Sequence, residues 1–319
     1  MNCSEEEVME LVNKYWEREF KKIQNIDFPK LREKEIEVSS LINEVETLRT
    51  RELSWKANSK LVPYFHPSLK YANKNGKLSP YEYWQKLKTD ETLFKKFYKN
   101  RLKSSDYFKE SEEKNKLLWE GIVPEFIYGI GLTTSGFAPK VSIFKPGAAT
   151  HLIRKYLQEF DTIFDPCAGY SARMIGTVCM GKKYIGRDLN DLTVSESLKC
   201  AEFLKTQIEG AQVELKVADS TTEKGEYPCL LTCPPYSAKE EWRNTKGEKI
   251  TSKLSCDDWI DTILNNYKCK KYVIVVDGAP TKYKDNIAEV FTNTNYINAR
   301  NGALTNASYN SENVVVIEK

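Results

Sequence analysis

Six short apolar runs in the second half of the chain restrict its fold most: TIFDP, KYIGRDL, VELKVAD, CLLTCPP, KYVIVVDG and NVVVIEK. Each is too short for a core helix, and length together with Val/Ile content, highest in KYVIVVDG and NVVVIEK, predicts strands. The stretches between them are long enough for helices. Such alternation predicts an α/β fold with a mainly parallel sheet covered on both faces. Sheets of this class bind ligands at the carboxyl ends of their strands, so the residues that end each run are where chemistry is expected.

The first half has a different period. Val8, Leu11, Val12, Tyr15 and Trp16, then Ile36, Leu41, Ile42, Val45 and Leu48, recur at helical spacing between Ser4 and about Arg51. Pro63, Pro67, Gly76 and Pro80 then punctuate the chain, and Ser79 before Pro80 reads as the cap and first-turn proline of a run reaching about Arg101. The chain is therefore expected to divide into a helical region, 1–137, and a sheet region, 138–319.

With 48 Lys+Arg against 45 Asp+Glu, the formal charge is only +3, so any affinity for a polyanion must come from local clusters. Lys95, Lys96, Lys99 and Arg101 form one, interleaved with Phe94, Phe97 and Tyr98; it is either a nucleic-acid contact or a solvated face over a small core. Trp242 and Arg243, in the connection from Ser237 to Asp257, are a second candidate contact. The acidic first residues carry no apolar run, and no segment approaches the ~20 apolar residues of a membrane span, so a cytoplasmic protein without membrane contact is expected. Eight Cys without a CxxC pair and only two His predict reduced thiols and no metal.

The strand ends are informative as a set. The first leads into Asp165-Pro166-Cys167-Ala168-Gly169 and on to Arg173, a tight turn with small residues where a backbone must approach a ligand. The second ends in Arg187-Asp188-Leu189-Asn190, placing an acid about twenty residues further on, where a carboxylate can hold ribose hydroxyls. The third ends in Ala218-Asp219-Ser220, and the fourth in Thr232-Cys233-Pro234-Pro235-Tyr236.

In these motifs the chain from about Val141 to Lys319 resembles the S-adenosylmethionine-dependent amino-methyltransferases that modify adenine N6 or cytosine N4 in DNA. DPCAGYSARMIG is similar to their cofactor turn in the form DPxAGxxxRxxG of phage and bacterial members. YIGRDLN is similar to their ribose site and TCPPY to their catalytic tetrad, while KVSIFKPGAATHLIRKYL resembles the segment that closes over the methionine end. The resemblance implies a Rossmann-like methyltransferase fold with S-adenosylmethionine as cofactor and DNA as partner, with RNA as the alternative substrate and a homodimer left open. It implies a cofactor site formed by Lys145, Asp165, Pro166, Cys167, Ala168, Gly169, Arg173, Asp188, Leu189, Asp219, Ser220 and Thr232.

Carried onto the tetrad, the resemblance implies that Cys233 and the Pro234 carbonyl accept the hydrogens of the target amine. Pro235 stiffens the loop, and Tyr236 stacks on a base rotated out of its helix. Cys233 is a departure, because the family places Asp, Asn or Ser there and a thiol accepts hydrogen bonds weakly. A cofactor-binding protein that has lost turnover through this change is the remaining alternative.

Overall fold

The computed structural model describes residues 5–26, 37–51, 57–74, 76–104, 141, 143–236, 240–278, 280–292 and 311–319. The chain forms two compact units. One comprises Met1–Lys34 and Lys70–Val141, the other Glu35–Leu69 and Ser142–Lys319. Residues 35–69, which the sequence groups with the helical region 1–137, cluster with the sheet rather than with the other helices. Their apolar stripe decides this: Leu41, Val45 and Leu48 of α2 (Val38–Thr50) and Leu61 and Val62 of α3 (Leu61–Phe65) are buried in one cluster with Met174, Ile175, Cys200 and Leu204 of the sheet unit.

The helical unit contains α1 (Glu5–Gln24), α4 (Pro80–Leu87) and α5 (Glu91–Ser104). Val8, Val12, Phe20 and Ile23 of α1 pack against Tyr83, Trp84 and Leu87 of α4 and Phe94, Phe97 and Tyr98 of α5. The Ser79 cap is present as a reciprocal box, the Glu82 amide donating to its Oγ at 3.2 Å while Glu82 accepts from the Ser79 amide at 3.0 Å. The single helix expected from Pro80 to Arg101 is two. Asp90 interrupts it, accepting from the Leu93 amide at 2.9 Å and so capping α5.

In the other unit, all six strands expected from the sequence form. The seven-stranded sheet contains β1 (Thr162–Asp165), β2 (Lys183–Asp188), β3 (Val213–Val217), β4 (Cys229–Thr232), β7 (Lys271–Asp277), β8 (Ile287–Thr292) and β9 (Ser311–Glu318). Its order is β8-β9-β7-β4-β1-β2-β3. β3, β2, β1, β4 and β7 are mutually parallel, and β9 runs antiparallel between β7 and β8. β5 (Glu240–Arg243) and β6 (Lys249–Ile250) form a hairpin outside this sheet. Side chains alternate faces as the pleat requires. Ile163, Leu231, Val273, Val275 and Val314 pack under α6 (Pro146–Tyr156), whereas Phe164, Leu230, Ile274, Val276 and Val315 meet Ile260 and Ile263 of α9 (Cys256–Asn266). Among the described residues the remaining α-helices are α7 (Ala172–Cys179) and α8 (Asp191–Gln207). Among the described residues no helix is long and apolar enough to cross a membrane.

The last glycine of the DPCAGYSARMIG segment has a packing role. A Cβ on Gly176 of α7 would lie 2.6 Å from Ala149 Cβ and 3.0 Å from the Pro146 carbonyl oxygen of α6. The two helices can approach this closely only without a side chain there. Gly176→Ala is therefore expected to lose about 1–3 kcal/mol through overpacking, despite the better helix propensity of Ala. A lowered thermal midpoint checks this, and an unchanged or raised midpoint contradicts it.

Candidate cofactor and catalytic site

The strand order creates the site. From central β1 the chain moves outward through β2 to β3, then returns to β4 on the other side of β1. The carboxyl ends of β1 and β4 consequently flank the point where the order reverses, which is where open α/β sheets form their ligand crevice. The 165–173 and 232–236 motifs both leave the sheet at that point.

Asp165 ends β1 and is fully buried. Oδ1 accepts from the Cys167 amide at 3.2 Å and Thr232 Oγ1 at 2.7 Å, and Oδ2 from Arg173 Nε at 2.7 Å and Tyr184 Oη at 2.8 Å. Arg173 also donates to the Cys167 carbonyl, and its guanidinium lies 5.0 Å from the centre of the Phe144 ring. Burial works against the guanidinium charge, but the Asp165 carboxylate more than offsets it and holds Arg173 above its ordinary range. Asp165, Arg173 and Thr232, expected at the cofactor, thus first join β1, β2, β4 and α7 to one another.

The turn itself is clipped to the end of β2. Gly169 has φ +56°, a left-handed backbone that favours glycine, and its amide donates to Asp188 Oδ2 at 2.7 Å. The Asn190 amide donates to Asp188 Oδ1 at 2.9 Å, and the Ala168 amide to the Arg187 carbonyl at 2.7 Å. Each Asp188 oxygen retains acceptor capacity beyond its one backbone donor. Burial raises the Asp188 pKa even though these two backbone donors oppose the shift. Beside it Leu189 is 52% exposed, an apolar surface at the ligand edge of the sheet.

After β3, Asp219 is half-buried and uses Oδ1 to accept from the Thr221 amide at 2.9 Å and Thr221 Oγ1 at 2.7 Å. Buried Ser220 brings Oγ to 3.5 Å from Cys167 Sγ, which ties the third strand end to the turn. Pro166 and Ala168 are buried within the turn, and half-buried Lys145 is the residue before α6.

Beneath the turn lies a polar network that the sequence reading missed. Ser171 is a non-glycine residue at φ +63°, and its Oγ lies 2.8 Å from His66 Nε2 and donates to Ser197 Oγ at 2.8 Å. His66 Nδ1 is 3.2 Å from Glu196, whose carboxylate also accepts from the Ser68 amide at 3.0 Å and Ser68 Oγ at 2.5 Å. All five residues are buried. The residues 105 and 130 positions from His66 in the chain carry no motif that pairs them with it.

Along the tetrad, Cys233 and Pro235 are half-buried and Pro234 is buried. Tyr236 is 9% exposed; its hydroxyl donates to Glu312 Oε1 at 2.5 Å, and Cys233 Sγ donates to that hydroxyl at 3.7 Å. Burial pushes both the Cys233 thiol and the Tyr236 phenol up, so both stay protonated. Glu312, near the start of β9, did not figure in the sequence reading.

The two candidate nucleic-acid patches differ. Trp242 and Arg243 are half-buried in the β5–β6 hairpin, where Arg243 donates to the Gly247 carbonyl at 2.9 Å. Asn190 donates to the Arg243 carbonyl at 3.1 Å and the Thr245 amide to Asp191 at 2.9 Å, which anchors this hairpin beside Asp188. On α5, Lys95 sits 3.5 Å from the centre of the Trp16 ring, Lys99 pairs with Glu5 at 3.1 Å and Lys96 is exposed. The Arg101 side chain lies outside the described residues.

No protein-family model and no curated protein matches the sequence. Among solved structures, the chain is similar to magnesium protoporphyrin IX methyltransferase from Synechocystis with bound S-adenosylmethionine, at 11% identity and a TM-score of 0.36 over 54% of this chain and 77% of that one. It is similar to TrmN from Thermus thermophilus at 15% identity and a TM-score of 0.35, over 55% of this chain and 48% of that one. A protein described as a possible methylase from Clostridium difficile gives 14% identity and a TM-score of 0.37, over 59% and 56%.

Thr232→Val, which keeps the buried shape but removes one donor from Asp165, is expected to cost about 1–3 kcal/mol of stability. Chemical denaturation checks it; a stability equal to that of the intact protein contradicts the role given to this bond.

Proposed function

We propose that this protein transfers a methyl group from S-adenosylmethionine to an exocyclic amino group of a nucleic-acid base, with adenine N6 or cytosine N4 of DNA as the target. The observation that carries the reading is the Thr232–Asp165 bond at 2.7 Å, by which the glycine turn and the Cys233-Pro234-Pro235-Tyr236 loop share the switch point of the sheet. The cofactor fits the residues present. Asp188 has acceptor capacity for ribose hydroxyls, Leu189 offers an apolar surface to an adenine ring, and the left-handed Gly169 keeps the turn free of a side chain. In this reading Asp219 and Ser220 serve the amino edge of that ring, and Lys145 and the 166–168 turn serve the methionine end.

When bound, the cofactor supplies an electrophilic methyl group. The chain's own task is to make the amine nucleophilic, since its lone pair is delocalised into the base. Acceptors for the amino hydrogens draw the nitrogen toward tetrahedral geometry, and here they are the Pro234 carbonyl and Cys233. Pro234 and Pro235 fix the backbone, so that carbonyl needs no reorganisation. Tyr236 supplies a ring to hold the base, and Trp242 and Arg243 extend the substrate side from the anchored hairpin.

Two tests address the cofactor and substrate separately. Asp188→Ala is expected to weaken S-adenosylmethionine binding roughly ten- to a hundred-fold, the loss of charge-assisted bonds worth ~1.5–3 kcal/mol. Because burial raises the Asp188 pKa, its carboxylate form is lost as pH falls through a value above that of an ordinary aspartate. Affinity should fall over that window in the intact protein and stay flat in Asp188→Asn; calorimetry showing the same pH profile in both removes Asp188 from the site. For the substrate, mass spectrometry of nucleosides from DNA and RNA of expressing cells should show N6-methyladenine or N4-methylcytosine in DNA. The modification appearing only in RNA would reassign the polymer, and no methylated base in either would leave a cofactor-binding protein without turnover.

A further inference from the structure

Methylation leaves the target nitrogen with a proton to lose, and neither polar side chain of the tetrad can keep it. Cys233 and Tyr236 are both held protonated, so each can take a proton only by passing one on. The structure provides the direction: Cys233 Sγ donates to Tyr236 Oη at 3.7 Å, and Tyr236 Oη donates to Glu312 Oε1 at 2.5 Å. The carboxylate arrives from a distant part of the chain because β9 is antiparallel. Its beginning therefore lies at the carboxyl ends of the parallel strands, with Glu312 in register with Asp277 at the end of β7.

We propose that Glu312 is the terminal proton acceptor of the site, acting through Tyr236 and Cys233. The inference rests on the amino-methylation reading above. As nitrogen bonds to the methyl carbon, the carbon–sulfur pair stays on the donor sulfur and the nitrogen's proton passes to Sγ. The Sγ proton moves to Tyr236 Oη, and the phenolic proton moves to Glu312. The net change is one methyl group gained and one proton lost by the amine, with thiol and phenol restored and one carboxyl group formed. The arrangement also accommodates the Cys at the first tetrad position, since the thiol relays a proton and need not act as the main acceptor. Glu312 is thus a positioning residue for the proton path, not a group that touches the base.

The test combines turnover with a measurement that needs no cofactor. In Glu312→Gln and Tyr236→Phe, single-turnover methyl transfer to DNA is expected to slow about 100-fold, the usual scale of a lost acid–base group, with S-adenosylmethionine affinity unchanged. Independently, Cys233 is surrounded by Arg173 of α7, Glu240 of β5 and Glu312 of β9, and of these Arg173 lowers the thiol pKa while both glutamates raise it. Removing the Glu312 charge should therefore speed alkylation of Cys233 by iodoacetamide several-fold at fixed pH, read on its peptide by mass spectrometry. Added acetate should restore part of the transfer in Glu312→Ala, which a purely structural role would not allow. Transfer at the intact rate in either Glu312→Gln or Tyr236→Phe, or Cys233 alkylation unchanged in Glu312→Gln, overturns the relay alone. Absence of transfer to DNA and RNA by the intact protein overturns the amino-methylation reading and the relay with it.

Discussion

The site depends on one buried carboxylate. Removing a charge from water is expensive unless every lone pair finds a donor and a counterion stands close, and Asp165 has both. Its four donors come from the turn, from α7, from β2 and from β4, so satisfying the charge is the same act as assembling the strand ends. The geometry is over-determined for that reason. Displacing β4 from β1 would orphan an oxygen of Asp165, and displacing α7 would leave its charge without Arg173.

A second layer supports the first. The left-handed Ser171 is a costly conformation for a residue with a side chain, and it persists where surrounding bonds enforce it. The His66–Glu196 pair and Ser197 do so from beneath, while Gly169 and Asn190 hold Asp188 from the front. The segment 35–69 belongs with the sheet because it brings His66 and Ser68 to this network, in addition to the apolar stripe of α2.

The sequence displayed the strands as short apolar runs, continuous Val and Ile in β7 and β9 most plainly, and it displayed the turn and tetrad because special backbone shapes require Gly and Pro. What it hid were contacts between residues of ordinary type far apart in the chain. Glu312 lies 76 residues beyond Tyr236, and nothing in SENVVVIEK distinguishes that glutamate until β9 is seen to run antiparallel. Asp165 was legible as a strand-end acid, but that its oxygens already have partners within the protein is a fact of three dimensions. Lys95 and Lys99 read equally well as phosphate contacts or as a solvated face. The Trp16 ring and Glu5, both on α1, engage them within the helical unit, which leaves Lys96 as the exposed lysine of that cluster whose side chain is described.

In the proposed reaction Cys233 is the residue on which the chemistry turns. A cysteine beside a base invites the idea of a thiolate that attacks a pyrimidine ring, and such a nucleophile needs a depressed pKa. Burial here drives the thiol the other way. Arg173, the cation that opposes the shift, is already committed to Asp165, and Glu312 adds negative charge that disfavours a thiolate further. A protonated thiol can donate and can relay, but it cannot act as a ready nucleophile. In the proposed reaction the larger share of the polar work at the amine falls to the Pro234 carbonyl, whose position needs no side chain at all, with Cys233 as the second acceptor and proton relay. That division of labour makes a cysteine tolerable at a position where the resembling family uses Asp, Asn or Ser.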